Sequence, residues 1–297
     1  MPFLRQDVLS GEWVSLSAER QQRPLTEAKA CPFCRGEGTE VGTTSFDVAV
    51  FENKFPVFRD PGTAEVVVYS PHHDDDLAYL PRESAALVWE VWKERSESLR
   101  QREDVQSVFI FENRGAKVGA SIAHPHGQIY AYPYCPPRLE KERMHFESRC
   151  PLCLSSEQAG PTVFKNRWWR IEVPYAMRMP FQLWLRPLRH VAHLGGLTSE
   201  EVSSGVSLMQ DIVRSYDSYF GLRTALVMAL YQDITIGATY HLRWDFMPLD
   251  RGQGQMKYLA GSELAMGAFV ADMTPDFVKS ELSPVWDRIH RRQERRT

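Results

Sequence analysis

Apolar and polar residues alternate in short runs along most of this chain, while two longer stretches show helical spacing. Alternation places successive side chains on opposite faces of a sheet, so each run predicts a strand. The predicted strands cover residues 13–16, 48–52, 64–70, 162–173, 181–186, 225–231 and 240–248, and two more flank the glycine-rich residues 113–119. Helices are predicted at 82–102 and from Thr198 to about Phe220, the second opened by an N-cap and an acidic first turn, Thr198-Ser199-Glu200-Glu201.

The residues that carry chemistry recur in the same order in the two halves of the chain. The number of residues between matching members is the same for four pairs and nearly the same for two more. The four are Cys31/Cys150, Cys34/Cys153, His124/Arg243 and His126/Asp245, and the two are Pro56/Pro174 and His73/His190. A tandem repeat of this kind predicts two α/β units of one topology. We therefore expect an α+β fold of two tandem units, 1–140 and 141–297, with mostly antiparallel sheets flanked by helices.

Bulk properties narrow the class of protein. The 297 residues are 43% hydrophobic and 25% charged with a net charge of −3, as in a globular protein with ample core. Basic and acidic residues nearly balance and form no long block, so we expect no nucleic-acid partner. The start of the chain lacks a signal-peptide pattern, and no apolar run is long enough to span a bilayer. A cytoplasmic protein without a membrane partner is expected.

Four of the five cysteines form two Cys-x-x-Cys pairs, Cys31/Cys34 and Cys150/Cys153. In a reducing compartment such pairs favour metal ligation over disulfides. Two thiolates with two imidazoles are a usual ligand set of structural zinc. The predicted zinc ligands of the first half are Cys31, Cys34, His124 and His73, with His72 as the alternative to His73.

The second half offers a less complete ligand set. Cys150, Cys153 and His190 recur, but the repeat offset places Arg243 where the first half has His124. An arginine cannot bind a metal, so the fourth ligand stays open between His241 and Glu142. A second metal ion at Cys150, Cys153 and His190 is therefore a weaker prediction than the first.

A glycine-rich turn leads into the most informative stretch, the His-Pro-His-Gly-Gln of residues 124–128. Glycine lets backbone N–H groups approach an anion, and neutral side chains add further donors. The candidate phosphate-binding residues are Asn113, Gly115, Gly119, Ser121 and Gln128. His124 and His126 project from the same face of a strand, so with His124 on zinc, His126 is left as a nucleophile for phosphorus. The alternative is a hairpin loop beside a structural histidine.

Other charged residues suit a phosphate or a sugar. Arg20 and Arg23 offer the planar donor fork that matches phosphate, although surface charge would explain them equally. Lys257 and Glu263 follow the last strand and could contact a phosphate and sugar hydroxyls respectively. Alternatively, they belong to a polar helix start after a glycine-rich loop.

Over nearly its full length the chain resembles the galactose-1-phosphate uridylyltransferases, tandem-repeat members of the histidine triad superfamily. The resemblance rests on residues 9–14, 20–24, 31–34, 51–56, 70–73 and 111–115 and, most specifically, on Gly119-Ala120-Ser121-Ile122-Ala123-His124-Pro125-His126-Gly127-Gln128. It implies two histidine-triad-like repeats. The first would hold the nucleotidyl-transfer and zinc sites; the second would hold a degenerate site and further sugar-phosphate or nucleotide contacts.

The resemblance also implies a double displacement on small-molecule substrates. His126 would attack the α-phosphorus of UDP-glucose, glucose 1-phosphate would leave, and galactose 1-phosphate would accept the uridylyl group. Gln128 and Ser121 would bind phosphoryl oxygens, while Asn53 and Asn113 would belong to the nucleotide site. Further substrate contacts would come from Arg20, Arg23, Gly119, Lys257 and Glu263. The Zn²⁺ ion would be structural, and a homodimer is expected.

Two alternatives stay open. A related nucleotidylyltransferase or phosphorylase would use the same chemistry on another nucleotide sugar, such as ADP-glucose with phosphate. A zinc-stabilised nucleotide-binding protein without catalysis would belong to a different class. Single-repeat histidine triad hydrolases usually carry a third histidine at the position of Gln128, so this glutamine favours transfer over hydrolysis. Family members often have histidines or a carboxylate at Arg243 and Asp245, so sugar and base preference stay open.

Overall fold

The structure is a computed structural model that describes residues 2–22, 31–146, 149–154, 159–233, 239–252 and 254–294. Nine of its strands form one antiparallel sheet: β3 (Ala49–Glu52), β4 (Thr63–Val68), β5 (Ser107–Arg114), β6 (His126–Tyr132), β7 (Thr162–Lys165), β8 (Trp169–Glu172), β9 (Leu183–Pro187), β10 (Leu226–Tyr231) and β11 (Arg243–Pro248). Their order is β3-β4-β6-β5-β10-β11-β9-β8-β7. Two small sheets flank it: β1 (Phe3–Gln6) with β2 (Trp13–Leu16), and β12 (Asp250–Gly252) with β13 (Gln255–Met256).

The two halves of the chain meet in the middle of the nine-stranded sheet, where β5 pairs with β10. Outward from this joint the strands follow in matching order, so β6 corresponds to β11, β4 to β9 and β3 to β8. The predicted α+β fold with antiparallel strands and flanking helices is confirmed. The division at 140/141 stays a prediction, and the hydrogen-bonded sheet runs continuously from one half into the other.

The helices are α1 (Arg82–Arg100), α2 (Pro137–Phe146), α3 (Ser199–Phe220), α4 (Gly261–Met266) and α5 (Pro275–Glu294), with 3-10 turns at Ala18–Gln22, Ala116–Val118 and Leu194–Gly196. Three of them, α1, α3 and α5, cover one face of the large sheet. Alternate residues of the central strands, such as Ile110 and Leu230, join α1, α3 and α5 in the main apolar core. None of the helices in the described ranges has the length and apolar character needed to cross a membrane.

Four tryptophans lock the two halves together inside that core. Trp89 and Trp92 on α1 lie against Trp244, and Trp89 also meets Trp169, with ring centroids 5.2 to 6.1 Å apart. All four are at most 1% exposed. Since aromatic rings bury large apolar areas, the core of one half is completed by side chains of the other.

The opposite face of the sheet carries the candidate site residues, and we call it the polar face. Cross-strand register aligns one row of its side chains: Phe51, Val66, Gln128, Phe111, Ala229, Asp245, Trp184 and Glu172. Neighbouring strands are about 4.8 Å apart, so Gln128 and Asp245, three strands apart, are separated by about 14 Å. The candidate site and its counterpart in the second half therefore share one face.

The single strand predicted at 162–173 is wrong, because the structure has two strands there, β7 and β8. Asn166 lies between them, and its side-chain oxygen accepts hydrogen bonds from the backbone N–H groups of Trp168 and Trp169, both at 2.8 Å. Asparagine stabilises turns in this way, and the local bond outweighs the β-propensity of the flanking aromatic residues. The other predicted elements shift only at their ends; the helix predicted at 82–102, for example, ends at Arg100.

The predicted start of α3 is confirmed in detail. The Thr198 hydroxyl accepts from the Glu201 N–H at 3.3 Å, and the Glu201 carboxylate accepts from the Thr198 N–H at 2.8 Å. This reciprocal capping box satisfies two backbone donors at the helix start that have no partner within the helix.

Replacing Thr198 with alanine should lower the free energy of unfolding by about 1 kcal/mol, because one capping acceptor is lost. Chemical denaturation measures the change, and Thr198→Ser, which keeps the hydroxyl, is the matched control. Equal stability of the two variants would contradict a capping role.

Candidate active site and metal clusters

The structure brings Cys31, Cys34, His73 and His124 together, with their ligand atoms all within 4.8 Å of one another. The Nδ1 atom of His124 lies 3.6 Å from the Cys34 sulfur and 3.8 Å from the Cys31 sulfur; that of His73 lies 3.5 Å from the Cys34 sulfur. Tetrahedral zinc with ordinary Zn–S and Zn–N bonds separates such atoms by about 3.6 Å. The donor set fits zinc, and His73 rather than the exposed His72 belongs to it.

His124 is held in the form that a metal ligand needs. Its Nε2 lies 2.7 Å from the Ser70 carbonyl oxygen. A carbonyl only accepts, so Nε2 carries the proton and Nδ1 directs its lone pair at the sulfurs. Burial lowers the pKa of His124, which favours the neutral ring.

A second cluster has the same composition: Cys150, Cys153, His190 and His241. The Nδ1 atom of His241 lies 3.4 Å from each sulfur, and that of His190 lies 3.3 Å from the Cys153 sulfur. His241 repeats the orientation of His124, since its Nε2 lies 3.0 Å from the Pro187 carbonyl oxygen. Burial lowers the pKa of His241 to about 4, so this ring is neutral at pH 7.

The structure decides between the two open candidates for the fourth ligand of this cluster. His241 takes the position, whereas Glu142 accepts two hydrogen bonds from Arg243 at 2.6 and 2.8 Å. These bonds and the positive charge of Arg243 outweigh burial and lower the pKa of Glu142 to about 2. The glutamate is thus the ion-pair partner of Arg243.

The predicted match between His124 and Arg243 is wrong. His241 makes the contacts of His124, and the offset between these two histidines equals the offset between His73 and His190. The connections between elements differ in length in the two halves, so the cysteine offset does not carry over to the strands. The counterpart of His126 is therefore Arg243, the first residue of β11, and the counterpart of Gln128 is Asp245.

His126 is the first residue of β6 and is half-buried. Its Nδ1 lies 2.8 Å from the carbonyl oxygen of His124. Because that carbonyl only accepts, Nδ1 is the protonated nitrogen, and the lone pair of the ring is on Nε2. The ring of Phe33, from the first Cys-x-x-Cys loop, meets His126 edge-on with centroids 5.0 Å apart.

Gln128 connects His126 to other predicted substrate-binding residues. Its side-chain oxygen accepts from the Asn53 amide at 3.4 Å and from the Tyr130 hydroxyl at 3.2 Å, so its amide nitrogen is the donor left for a ligand. The Asn53 oxygen accepts from the Phe55 N–H at 2.9 Å, and the Arg20 guanidinium donates to the Phe55 carbonyl at 2.9 Å. Arg20, Asn53 and Gln128 thus form one chain of contacts. The predicted Arg23 lies outside the described residues.

The predicted phosphate-binding turn connects β5 to β6. Gly119 closes its 3-10 turn with φ of 82°, a conformation that favours glycine. Asn113 lies two residues beyond Phe111 on the polar face, and Ser121 is half-buried in the segment leading to His124. Lys117 in the turn donates to Asp250 at 3.2 Å, which ties the turn to the second half.

Lys257 and Glu263 lie beside each other, with the ammonium 3.3 Å from the carboxylate. Lys257 also donates to the Val270 carbonyl at 2.5 Å. Glu263 is the third residue of α4 and accepts from the Ala260 N–H at 3.4 Å. The interpretation as a polar helix start is therefore confirmed for Glu263, and a role in substrate binding stays a prediction for both residues.

A buried ion-pair network next to the turn was not predicted. Arg114, the last residue of β5, donates to Asp76 at 2.9 Å and to both carboxylate oxygens of Asp217 at 2.8 and 2.7 Å. It anchors the strand that precedes Gly115 to α3. The only signal in the sequence is a charged residue at the end of an apolar strand; its partners are far away along the chain.

Sequence reasoning also missed why residue 127 is glycine. A Cβ atom there would lie 2.0 Å from the Tyr69 hydroxyl oxygen and 2.9 Å from the ring carbon that bears it. Tyr69 is 1% exposed, and its ring packs edge-on against Trp92, so it cannot move aside. Glu112 lies beside Tyr69, and burial raises the pKa of this glutamate to about 8.

Comparisons with known proteins agree with this geometry. A family model described as the N-terminal domain of galactose-1-phosphate uridyl transferase matches residues 40–136. The galactose-1-phosphate uridylyltransferase of Thermotoga maritima is 32% identical over 95% of this chain and 98% of its own length. The ADP-glucose phosphorylase of Arabidopsis thaliana is 27% identical over 65% of this chain and 67% of its own. A solved structure of a uridylyltransferase superposes with a TM-score of 0.87 at 27% identity, covering 97% and 99% of the two chains.

Fold, site and relatives together define an enzyme of the nucleotidyltransferase class. More narrowly, the chain belongs to the galactose-1-phosphate uridylyltransferase family. The family resemblance stated from its motifs is thereby confirmed.

Gly127→Ala should destabilise the protein and displace the strand between His126 and Gln128, because the new methyl group overlaps the Tyr69 hydroxyl. We expect a lower melting temperature and at least a tenfold loss of nucleotidyl transfer. The double variant Gly127→Ala/Tyr69→Phe removes the oxygen at 2.0 Å and should recover part of both. Equal defects with and without that oxygen would show that the clash is not the cause.

Proposed function

We propose that this enzyme transfers UMP between UDP-glucose and galactose 1-phosphate through a covalent uridylyl-histidine on His126. The observation that carries the proposal is the 2.8 Å contact between Nδ1 of His126 and the His124 carbonyl. It leaves the nucleophilic lone pair on Nε2, on the polar face that also carries Gln128 and Asn113.

The reaction then proceeds in two displacements. In the first, Nε2 of His126 forms a bond to the α-phosphorus while the bond from phosphorus to the glucose 1-phosphate oxygen breaks. In the second, a phosphate oxygen of galactose 1-phosphate attacks the uridylyl phosphorus, UDP-galactose forms, and His126 returns to its neutral form. Both the leaving group and the acceptor are phosphate oxygens, so neither step requires a general acid or base.

Charge on the phosphoryl group would be stabilised by preorganised donors. The Gln128 amide nitrogen is oriented by the two hydrogen bonds to its oxygen, and Ser121 and the backbone of Gly119 come from the adjoining turn. Arg20 lies beside Asn53 through their shared partner Phe55. Donors fixed before the reaction stabilise developing charge at little reorganisation cost.

A small apolar cluster lies next to His126 and offers a surface for the nucleobase. Phe33, Val66 and Val68 form a small buried cluster with Phe51 packed against it, separate from the main core. Phe33 meets both His126 and Phe51 edge-on. We place the uracil ring against this cluster, with the amide of Asn53 available at its rim.

We assign zinc to the first cluster as a structural ion held by Cys31, Cys34, His73 and His124. Four protein ligands fill a tetrahedral shell, so the ion would stabilise the fold and fix the His124 ring. The second cluster, Cys150, Cys153, His190 and His241, has the same donors, and we assign it a second zinc ion. An ion in the first cluster would also help to position His126, because the backbone carbonyl of His124 accepts a hydrogen bond from Nδ1 of His126.

A second candidate function is phosphorolysis of ADP-glucose, in which inorganic phosphate replaces galactose 1-phosphate. The similarity to the Arabidopsis ADP-glucose phosphorylase favours it. The two functions share His126 and differ in base and acceptor. The enzyme is incubated with UDP-glucose and galactose 1-phosphate and, separately, with ADP-glucose and phosphate. The substrate pair that is turned over faster identifies the function.

The remaining expectations concern partners and location. A homodimer follows from the family resemblance, and light scattering tests it. A cytoplasmic location and the absence of nucleic-acid partners follow from the composition and stay predictions.

His126→Ala should abolish turnover, a loss of at least 1,000-fold, because no nucleophile remains for the covalent step. Binding of UMP and the zinc content should stay near those of the wild type. Mass spectrometry of the wild-type enzyme mixed with UDP-glucose alone should show a UMP adduct on a peptide containing His126. Turnover by the alanine variant, or an adduct on another residue, would refute the mechanism.

Cys31→Ser should lose one zinc ion and much of the stability, because metal binding is coupled to folding. Elemental analysis of the wild type should give two zinc ions per chain. Cys150→Ser, the counterpart in the second cluster, should also lose one ion. We expect the folded fraction of Cys31→Ser to transfer UMP more slowly than that of Cys150→Ser. The reason is that only the first cluster contains His124, whose carbonyl contacts His126. Full metal content in either variant would remove its cluster from the assignment.

A further inference from the structure

Three arginines stand side by side on neighbouring strands of the polar face. Arg170 on β8 is paired with Arg186 on β9. The register of β9 with β11, in which Leu185 pairs with Trp244, continues to Arg186 beside Arg243. Adjacent strands are about 4.8 Å apart, and like charges directly opposite each other are destabilising.

Two further guanidinium groups from outside the sheet extend this row. Arg138 on α2 lies 3.6 Å from Asp245, and the side chains of Arg138 and Arg243 lie over the ring of Tyr231 at 4.5 and 4.4 Å. Arg178 packs over Phe269 at 4.9 Å, and desolvation and the charge of Arg138 lower its pKa. We call these five residues the arginine cluster: Arg138, Arg170, Arg178, Arg186 and Arg243.

The carboxylates around the arginine cluster do not balance it. Among the described residues, those within ion-pair distance of its members are Glu142, Glu172 and Asp245. Three negative charges thus face five positive ones. The excess would cost free energy in a largely buried site unless another anion joined it.

Hydrogen-bond donors in the cluster are also left without an acceptor. The Nε–H groups of Arg243 and Arg170 are buried and have no partner among the described residues. The side chain of Arg243 is only 3% exposed, so bulk water cannot satisfy it. Buried donors nearly always have an acceptor. A negatively charged acceptor would both bind these Nε–H groups and balance the excess positive charge.

The internal symmetry shows what the cluster replaces. Matching strands put Arg243 at the place of His126 and Arg186 at the place of Val68. Where the first half has a histidine and an apolar cluster, the second half has guanidinium groups. The second copy of the site has thus exchanged groups suited to a base for groups suited to an anion.

We propose that the arginine cluster is a second binding site, for a phosphate group, distinct from the site at His126. Planar guanidinium forks match the oxygens of phosphate, and several together suit its double charge. Arg138 and Arg170 are 29% and 26% exposed and give the ligand access from solvent. The ligand is inorganic phosphate or the phosphate of a sugar phosphate. The assignment does not depend on the reaction at His126.

Calorimetric titration with inorganic phosphate in a low-chloride buffer tests the site. Arg170→Gln/Arg178→Gln removes two positive charges, and neither residue anchors a strong ion pair. We expect this variant to bind phosphate at least tenfold more weakly in one component of the isotherm. Arg82→Gln/Arg100→Gln, two exposed changes on α1 that also remove two positive charges, is the matched control and should match the wild type. Unchanged circular dichroism spectra and melting temperatures would show that all three proteins are folded, without reference to the reaction at His126.

The outcomes are distinct. An isotherm that is unchanged in Arg170→Gln/Arg178→Gln, or a wild type that binds no phosphate below 10 mM, would overturn the proposal. Chloride that displaces phosphate at equal concentration would overturn the assignment to phosphate. A parallel titration with galactose 1-phosphate identifies the source, since the ligand of the cluster is the one whose affinity falls in Arg170→Gln/Arg178→Gln. If Arg170→Gln/Arg178→Gln does not fold, the single variant Arg178→Gln provides the same comparison.

Discussion

His124 uses its ring and its backbone in two directions, and the candidate active site depends on both. The ring donates to Ser70 and faces the two sulfurs, which fixes the start of β6 against the end of β4. The carbonyl of the same residue accepts from His126 and thereby selects its tautomer. A residue of the first Cys/His cluster thus sets the tautomer of the histidine that we propose as the nucleophile.

In the second half, the ring of His241 makes the same kind of contacts as the ring of His124, but the described residues include no counterpart of the bond from His126 to the His124 carbonyl. Its ring donates to Pro187 and faces the sulfurs of Cys150 and Cys153. The residue two positions further on is Arg243, which binds Glu142. The Cys/His cluster and the proposed nucleophile are therefore separable: both halves have the cluster, but only the first has a histidine two positions further on.

Much of this site could be predicted, because its residues belong to short motifs whose chemistry depends on residue type. The Cys-x-x-Cys loops, the histidine pair and Gln128 are of that kind. That His241 rather than Arg243 is the counterpart of His124 could not be predicted from the repeat. A constant separation in sequence assumes connections of equal length, whereas the position of a strand end depends on its hydrogen bonds and on the actual lengths of the connections. Arg114 and Tyr69 also escaped prediction, because their partners lie on other elements, far along the chain.

The fold could be predicted to a similar degree. Helical spacing and the Thr198 cap located α3 closely, because both signals are local. The hairpin around Asn166 was missed, since one side-chain oxygen interrupts a run that otherwise alternates as a strand should. Pairing of β5 with β10 joins residues more than 100 positions apart and has no counterpart in any local pattern.

That central pairing makes the second half indispensable whatever its chemistry. Without the second half, strand β5 would present a row of unpaired backbone groups near His126, and Trp89 would lose its contacts with Trp169 and Trp244. An exposed edge of this kind invites association with other chains. The chain can therefore change the residues of its second half but cannot discard it. Its architecture requires a duplicate, and the requirement leaves the duplicate free to acquire a different ligand.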